Sequence, residues 1–176
     1  MIFVAVGTFI HGFDELVAGA DAACGTLGVP GFAQIGHSRQ IPSHLEWERF
    51  LAPSALRERL AAAQIVICHG GIGLLGEAMR GRKPVIALPR RGRPSSAHPA
   101  GDQTGLVHRL AGLHPLQVCA DPGELTTLLR AGLARGLKEQ DYHLHSDVPQ
   151  LLIRFLALGG MVPGGRAHRA HARSRS

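Results

Sequence analysis

Residues 65–91, IVICHGGIGLLGEAMRGRKPVIALPRR, contain the clearest secondary-structure pattern in this chain. Its first five residues, 65–69, form a continuous apolar and β-branched run, which predicts a strand buried on both faces. Residues 73–80 then predict a helix, and residues 84–88 predict a second buried strand. A strand, a turn, a helix and a strand in this order indicate one unit of a parallel sheet.

The turn of this unit is rich in glycine. Gly71, Gly73 and Gly76 have the spacing G-x-G-x-x-G, which is typical of a strand-to-helix turn that receives a dinucleotide phosphate. A tight turn that needs glycine for packing alone has the same spacing. The pattern therefore predicts the turn and leaves its ligand open.

The same alternation extends outward in both directions. Further strands are predicted at 2–6, 31–36 and 116–120, and further helices from Phe13 to Cys24, at 54–63, at 101–111, after the cap Asp121 and at 148–158. We expect an α/β fold with a Rossmann-like open parallel sheet and helices on both faces. Residues 1–158 would form this one domain, and the Gly-, Arg- and His-rich segment 159–176 would be a disordered basic tail.

Ligands of open parallel sheets bind beyond the carboxyl ends of the strands. The predicted strands bring three polar or glycine-rich segments to that edge: Gly7 and Thr8; His69, Gly70 and Gly71; and Pro89, Arg90 and Arg91. We therefore expect the functional site at the carboxyl ends of these strands.

Composition narrows the possible partners. The 176 residues carry a formal net charge of +6 with a pI near 10.2, which favours an acidic partner such as a phosphate, a nucleic acid or an anionic membrane. A nucleic-acid-binding module is one alternative, but only 5% of the residues are aromatic, so few side chains are offered for base stacking. We expect no nucleic-acid partner.

Cysteines, histidines and hydropathy give further expectations. The three cysteines are widely spaced in apolar contexts, which predicts buried free thiols. None of the eleven histidines stands in a metal-binding frame, so no metal or other cofactor is expected. No secretory leader is recognised, and the apolar run 151–160 is too short to span a membrane. These features predict a cytoplasmic chain.

Two nucleotide ligands remain open from the residues alone. Arg90 or Arg91 could accept the 2′-phosphate of NADP, which would make the chain part of an oxidoreductase, although little chain remains for a second nucleotide-binding half. Glu77 in the helix could instead accept hydrogen bonds from both hydroxyls of a ribose, or it could be an ordinary solvated residue.

Three motifs together resemble a known family, the C-terminal donor-binding half of glycosyltransferase family 28, as found in MurG-type enzymes. They are IFVAVGTFIHGFDELV (2–17), VICHGGIGLLGEAMRGRKPVIALPRR (66–91) and HPAGDQTGLVHRLA (98–111). The chain is most similar to the small free-standing members: the PssE/EpsF-like subunits of bacterial exopolysaccharide synthesis and the soluble subunit of the eukaryotic dolichol-linked N-acetylglucosaminyltransferase.

The resemblance implies a single GT-B half-domain and assigns roles to residues. Gly7, Thr8 and the turn His69, Gly70, Gly71, Ile72 and Gly73 would face the donor diphosphate, together with Pro89, Arg90 and Arg91. Glu77 would hold the ribose of a uridine nucleotide, and Asp102 and Gln103 would contact the donor sugar. His69 is also a candidate catalytic residue, and His11 a weaker one.

The resemblance also implies a reaction and partners. The chain would bind a UDP-sugar without a metal, and the sugar would pass with inversion to a lipid-linked saccharide acceptor in polysaccharide biosynthesis. The acceptor half would come from a membrane-anchored partner subunit, which would hold this chain at the membrane as one half of a heterodimer. Asp102, where histidine is more frequent in the family, leaves the identity of the sugar open.

Overall fold

The computed structural model describes residues 1–92, 102–135 and 139–142. The strands are β1 (Ile2–Ala5), β2 (Gly31–Gln34), β3 (Glu46–Glu48), β4 (Ile65–His69), β5 (Val85–Leu88) and β6 (Gln117–Val118). The helices are α1 (Asp14–Leu27), α2 (Pro53–Ala62), α3 (Ile72–Arg80), α4 (Thr104–Leu113) and α5 (Leu125–Ala134), with a 3₁₀ turn at Pro122–Glu124. The predicted helix at 148–158 and the predicted tail at 159–176 lie outside the described residues.

All six strands form one parallel sheet in the order β3-β2-β1-β4-β5-β6. The predicted open parallel sheet is confirmed. The sequence predicted five of these strands and missed β3, whose three residues Glu46, Trp47 and Glu48 are all exposed at the edge of the sheet. A short edge strand without a buried face carries no apolar pattern, which is why it was missed.

Alternate residues of the central strands point into two separate cores. Ile2, Val4 and Val6 of β1 and its extension pack with α1 and α5 on one face. Phe3 and Ala5 pack with α2, α3 and α4 on the other face. Because both faces are covered, the central strands consist almost entirely of buried apolar residues.

The three cysteines lie within these cores. Cys24, Cys68 and Cys119 are buried free thiols, as predicted. Burial raises the pKa of the Cys68 thiol to about 12, so this side chain behaves as a small apolar residue. No helix in the described ranges is long and apolar enough to cross a bilayer.

The predicted helix start after β6 is confirmed, with a different first turn. The Oδ1 atom of Asp121 accepts a hydrogen bond from the Gly123 N–H (2.8 Å), and Glu124 Oε2 accepts one from the Ala120 N–H (3.1 Å). The first bond satisfies a free N–H group in the first turn, and the second ties the Glu124 side chain back to the residue before the cap. Residues Pro122–Glu124 form a 3₁₀ turn before α5 begins at Leu125.

A buried carboxylate on α1 fixes the long connection between β2 and β3. Asp21 is only 6% exposed and accepts hydrogen bonds from the N–H groups of Ser43 (3.0 Å), His44 (2.8 Å) and Leu45 (3.0 Å) and from the Ser43 hydroxyl (3.0 Å). Burial raises the pKa of Asp21, but the four hydrogen bonds together lower it by a larger amount. The pKa of Asp21 therefore lies below its ordinary value. A segment without apolar periodicity is thereby held in one conformation.

Replacing Asp21 by Asn should destabilise the fold by about 2 kcal/mol, because a buried charged acceptor of four hydrogen bonds is replaced by a neutral amide that cannot accept all of them. Since the pKa of Asp21 is depressed in the folded state, its contribution is present above the pKa of the unfolded state and is lost as the pH falls through the lower folded pKa. Urea titrations between pH 3 and 7 should therefore give a shallower acid dependence for Asp21→Asn. Glu58→Gln, on the exposed face of α2, is the control; equal losses in both variants would contradict the assignment.

Candidate active site

The chain leaves β1 and β4 toward opposite faces of the sheet, although the two strands are hydrogen-bonded neighbours. Helix α1 packs on one face and α3 packs on the other. This is the topological switch point of an open parallel sheet, where a crevice forms at the carboxyl ends of the strands. The β1–α1 loop, defined as residues 6–13, and the turn at residues 69–71 therefore lie side by side at this edge.

The imidazole of His69 fills the space between these two segments. A Cβ atom added at Gly7 would meet His69 Cε1 at 2.7 Å, and one added at Gly71 would meet His69 Nε2 at 2.2 Å. Gly7 also has φ +72°, which side chains rarely adopt. Packing against His69 thus favours glycine at both positions. For Gly71, this is the packing role that the sequence pattern left open as the alternative to phosphate binding.

His69 is uncharged at neutral pH. Burial, followed by the positive charge of Arg90, lowers the pKa of His69 to about 4, against a smaller opposing contribution from the Ala5 carbonyl. Its Nδ1 atom is buried without a hydrogen-bond partner among the described residues. In this state the ring carries no charge to a ligand and acts chiefly as a spacer between two backbone segments.

The N-terminus of α3 is open to a ligand. The first backbone hydrogen bond of this helix joins the Leu75 N–H to the Gly71 carbonyl (3.0 Å), which leaves the N–H groups of Ile72, Gly73 and Leu74 free of helical partners. Apart from the backbone of α3 itself, no atom of the described residues lies within 4 Å of the position that a Cβ would occupy at Gly73. The helix dipole and these N–H groups together favour an anion.

Arg90 extends from the end of β5 to the β1–α1 loop. One terminal nitrogen donates to the Val6 carbonyl (2.9 Å), and the other donates to the Gly12 carbonyl. The rings of Phe13 and Phe9 lie 4.5 and 5.2 Å from its guanidinium carbon. The side chain is 9% exposed, and within the described ranges no carboxylate lies within ion-pair distance of it.

Arg91 extends in the opposite direction, to the loop after β6, where it donates to the Ala120 carbonyl (2.5 Å). The two arginines predicted to contact a diphosphate thus both donate to backbone carbonyls of neighbouring loops. Direct contact of either with a ligand stays a prediction. Pro89 precedes them as a buried residue directly after β5.

Asp102 and Gln103 lie at the start of α4, beside the end of β5. The Gln103 Oε1 atom accepts a hydrogen bond from the Arg90 N–H (3.2 Å), and the Gln103 N–H donates to the Arg90 carbonyl (2.9 Å). This pairing uses the amide oxygen, and within the described ranges the amide nitrogen donates to no other group, which leaves it for a ligand. Asp102 Oδ1 accepts from the Thr104 N–H (2.8 Å), a local turn bond just before the helix, and α4 begins at Thr104 rather than at the predicted residue 101.

The remaining predicted residues lie at the same edge or along α3. Glu77, in the middle of α3, pairs with Arg80 one turn later (2.7 Å), and its side chain is 42% exposed. Thr8 and His11 are exposed in the β1–α1 loop, and the His11 ring packs edge-on against Phe9 (5.2 Å between centroids). Ile72 is 62% exposed at the first position of α3.

Sequence reasoning missed the two phenylalanines that contact the Arg90 guanidinium. Phe9 and Phe13 are apolar residues near the start of α1, and Phe13 was interpreted only as part of a helical apolar pattern. Their contact with a residue about 80 positions away leaves no local signal in the sequence.

Comparison with known families settles the class of the domain. Residues 33–146, more than half of the chain, match the glycosyltransferase family 28 C-terminal domain. The chain belongs to this family. No curated protein matches the sequence.

Solved structures show the same fold for this family 28 domain. MurG from Acinetobacter baumannii aligns over 88% of the chain with 17% identity and a TM-score of 0.60. The calicheamicin glycosyltransferase CalG4 aligns over 90% with 17% identity and a TM-score of 0.56, and UGT89C1 of Arabidopsis thaliana, solved in complex with UDP, aligns over 90% with 19% identity and a TM-score of 0.52. The predicted GT-B half-domain is confirmed.

The chain spans about half the length of these structures or less: 49% of MurG, 38% of CalG4 and 43% of UGT89C1 are covered. The likeness concerns one domain of each protein.

Replacing Gly71 by Ala should destabilise this domain by about 2 kcal/mol, because the new methyl group collides with the His69 ring. The double variant Gly71→Ala with His69→Ala should be more stable than the sum of the two single losses, since removal of the ring removes the collision. A double-mutant cycle in urea checks this. Additive losses would contradict the packing role of His69.

Proposed function

We propose that this family 28 domain is the donor-binding half of an inverting glycosyltransferase that takes a sugar from a UDP-sugar. One observation supports this above the others: a helix N-terminus at the topological switch point of a domain of this family, which no other described residue covers, near a buried arginine that has no acidic partner in the described ranges. Free N–H groups and uncompensated positive charge favour a diphosphate.

The diphosphate would be bound mainly by backbone. The N–H groups of Ile72 and Gly73, with the Thr8 hydroxyl from the neighbouring loop, offer donors on two sides of the crevice. As the bond to the sugar breaks, negative charge grows on the departing UDP, and fixed donors at a helix N-terminus stabilise that charge. The glycines at 70 and 71 let the turn approach α4 and His69 closely, which holds these donors in place.

Glu77 would accept the two ribose hydroxyls. Its carboxylate now pairs with Arg80 through a surface ion pair, an interaction generally worth less than 1 kcal/mol. Exchanging this pair for two hydroxyl donors therefore costs little. Arg80 lies in the last turn of α3 and could stay beside the carboxylate after the ligand binds.

Asp102 and Gln103 would orient the donor sugar. The Gln103 amide oxygen is used by Arg90, so its amide nitrogen is the group that would donate to a sugar hydroxyl. The pKa of Asp102 is lowered, first by the Thr104 N–H, then by the Thr104 hydroxyl and the Gly92 N–H, and this keeps the carboxylate ionised as an acceptor of sugar hydroxyls.

The acceptor would bind to a second domain facing this edge. We propose that a membrane-anchored partner subunit supplies it and presents a lipid-linked saccharide for polysaccharide biosynthesis. A hydroxyl of that acceptor attacks the anomeric carbon from the side opposite UDP, the bond from that carbon to the diphosphate oxygen breaks, and the hydroxyl proton passes to a base. His11 and His69 are the candidates for that base on this chain. Burial and the charge of Arg90, which lower the pKa of His69 to about 4, disfavour its protonated form and make it the weaker proton acceptor that its packing role implies.

Calorimetric titration of the purified chain tests the donor site. UDP should bind, and Glu77→Ala should weaken UDP binding about tenfold or more, because a charged acceptor of ribose hydroxyls is lost. Glu58→Ala, which removes an exposed glutamate of α2, should leave the affinity unchanged. Binding of NADP⁺ without binding of UDP would overturn the proposal in favour of an oxidoreductase.

Glycine 73 offers a second test that separates binding from folding. Because no other part of the described chain lies within 4 Å of a Cβ at this position, Gly73→Ala should raise helix stability by about 0.5–1 kcal/mol. The same methyl group would occupy the space where a phosphate approaches the helix, so UDP affinity should fall. Gly112→Ala, at an equally open position in α4, should stabilise the chain without lowering its affinity for UDP. Unchanged UDP affinity in Gly73→Ala would place the diphosphate elsewhere.

A further inference from the structure

Arg90 has the contacts of a brace rather than those of a ligand-binding side chain. Its two terminal nitrogens donate to the carbonyls of Val6 and Gly12, which are the two ends of the segment that carries Thr8. Only 9% of the residue is exposed, and its remaining nitrogen, Nε, is buried without a partner among the described residues. A diphosphate at the edge would meet little of this guanidinium directly.

The rest of the loop agrees with this role. The rings of Phe9 and Phe13 pack against the guanidinium from within the same loop. Inside the loop the Gly12 N–H donates to the Phe9 carbonyl (3.0 Å), and at its end the Phe13 N–H donates to the hydroxyl of Ser38, in the segment after β2 (2.8 Å). The loop is thus closed on Arg90 as a compact unit.

The backbone of Arg90 connects this unit to α4. Gln103 exchanges two hydrogen bonds with the Arg90 main chain, one through its side chain and one through its own N–H. The same residue therefore contacts the loop that carries Thr8 and the side chain that would contact the donor sugar.

We infer that Arg90 is a positioning residue that holds the β1–α1 loop against the crevice and couples its position to Gln103, rather than a direct ligand of the diphosphate. This inference rests on the proposed donor site for its effect on UDP, but its effect on the loop stands independently. The neighbouring Arg91 does the corresponding work for the loop after β6, through the Ala120 carbonyl.

Amide hydrogen exchange resolved by NMR on the full chain measures the brace directly. Arg90→Lys keeps the charge but cannot span both carbonyls, so exchange of the Gly12 and Phe13 amides should become about tenfold faster, while the Cys119 amide, bonded to the Ala87 carbonyl, stays as in the wild type. Arg91→Lys should show the opposite pattern: the Ala120 amide should exchange faster than in the wild type, and the Gly12 amide should exchange at the wild-type rate. Arg57→Lys, on the exposed face of α2, should change neither.

UDP titration of the same variants adds a second measurement, the affinity for UDP, which would not change if Arg90 only stabilised the fold. Arg90→Lys should lower UDP affinity about tenfold although the charge remains, and Phe13→Leu, which leaves Arg90 in place but removes one ring, should lower it by a smaller factor. Phe13→Leu also keeps the test valid if Arg90→Lys fails to fold.

Two results would overturn the inference. Arg90→Lys could weaken UDP while the Gly12 and Phe13 amides exchange as in the wild type, which would make Arg90 a direct ligand. Alternatively, those amides could stay protected and UDP affinity unchanged, which would leave Arg90 with no role at the site. If the wild type binds no UDP, the proposed function fails, and the exchange pattern still decides whether Arg90 braces the loop.

Discussion

The chain leaves the two central strands of the sheet toward opposite faces, and this divergence creates the candidate site. Because β1 and β4 are neighbours and their following helices cover opposite faces, the backbone must open between them at the carboxyl edge. The two segments that leave these strands are held at close distance by the His69 ring, and only glycine at positions 7 and 71 gives that ring room. The crevice is a product of the topology, and its width is set by one side chain.

The same edge explains why a charged residue is buried there. Carbonyl groups at the ends of parallel strands have left the sheet and need donors, and a guanidinium offers five N–H donors in a fixed plane. Arg90 uses this plane to reach the Val6 and Gly12 carbonyls from β5, across the intervening β4. A lysine would supply the charge without the span. Hydrogen bonding to the loop, rather than pairing with an acid, accounts for the position of this arginine.

The local parts of this design could be predicted from the sequence, and the long-range parts could not. Strand β4 was predicted with its observed bounds, and α3 to within one residue, because apolar runs and glycines signal such elements locally. Strand β3 was missed since its residues are exposed, and α4 begins later than predicted, after a local turn in which the Asp102 carboxylate accepts from the Thr104 N–H. The partners of Arg90 lie 78 and 84 residues away, and a contact of that separation leaves no pattern in one sequence.

The electrostatic character of the edge follows from these packing choices. Burial and the adjacent arginine keep His69 uncharged until the pH falls to about 4. Burial also lowers the pKa of Arg90, but the ordinary pKa of arginine is so far above neutrality that the side chain stays charged. The helix dipole of α3 does not titrate. Across the neutral range, therefore, neither His69 nor Arg90 changes its charge, and the α3 N–H groups do not titrate. A diphosphate ester is the kind of ligand that such a site favours, since its own charge is also nearly constant across the neutral range. These two constant charges support the proposed donor-binding role more directly than the glycine spacing does.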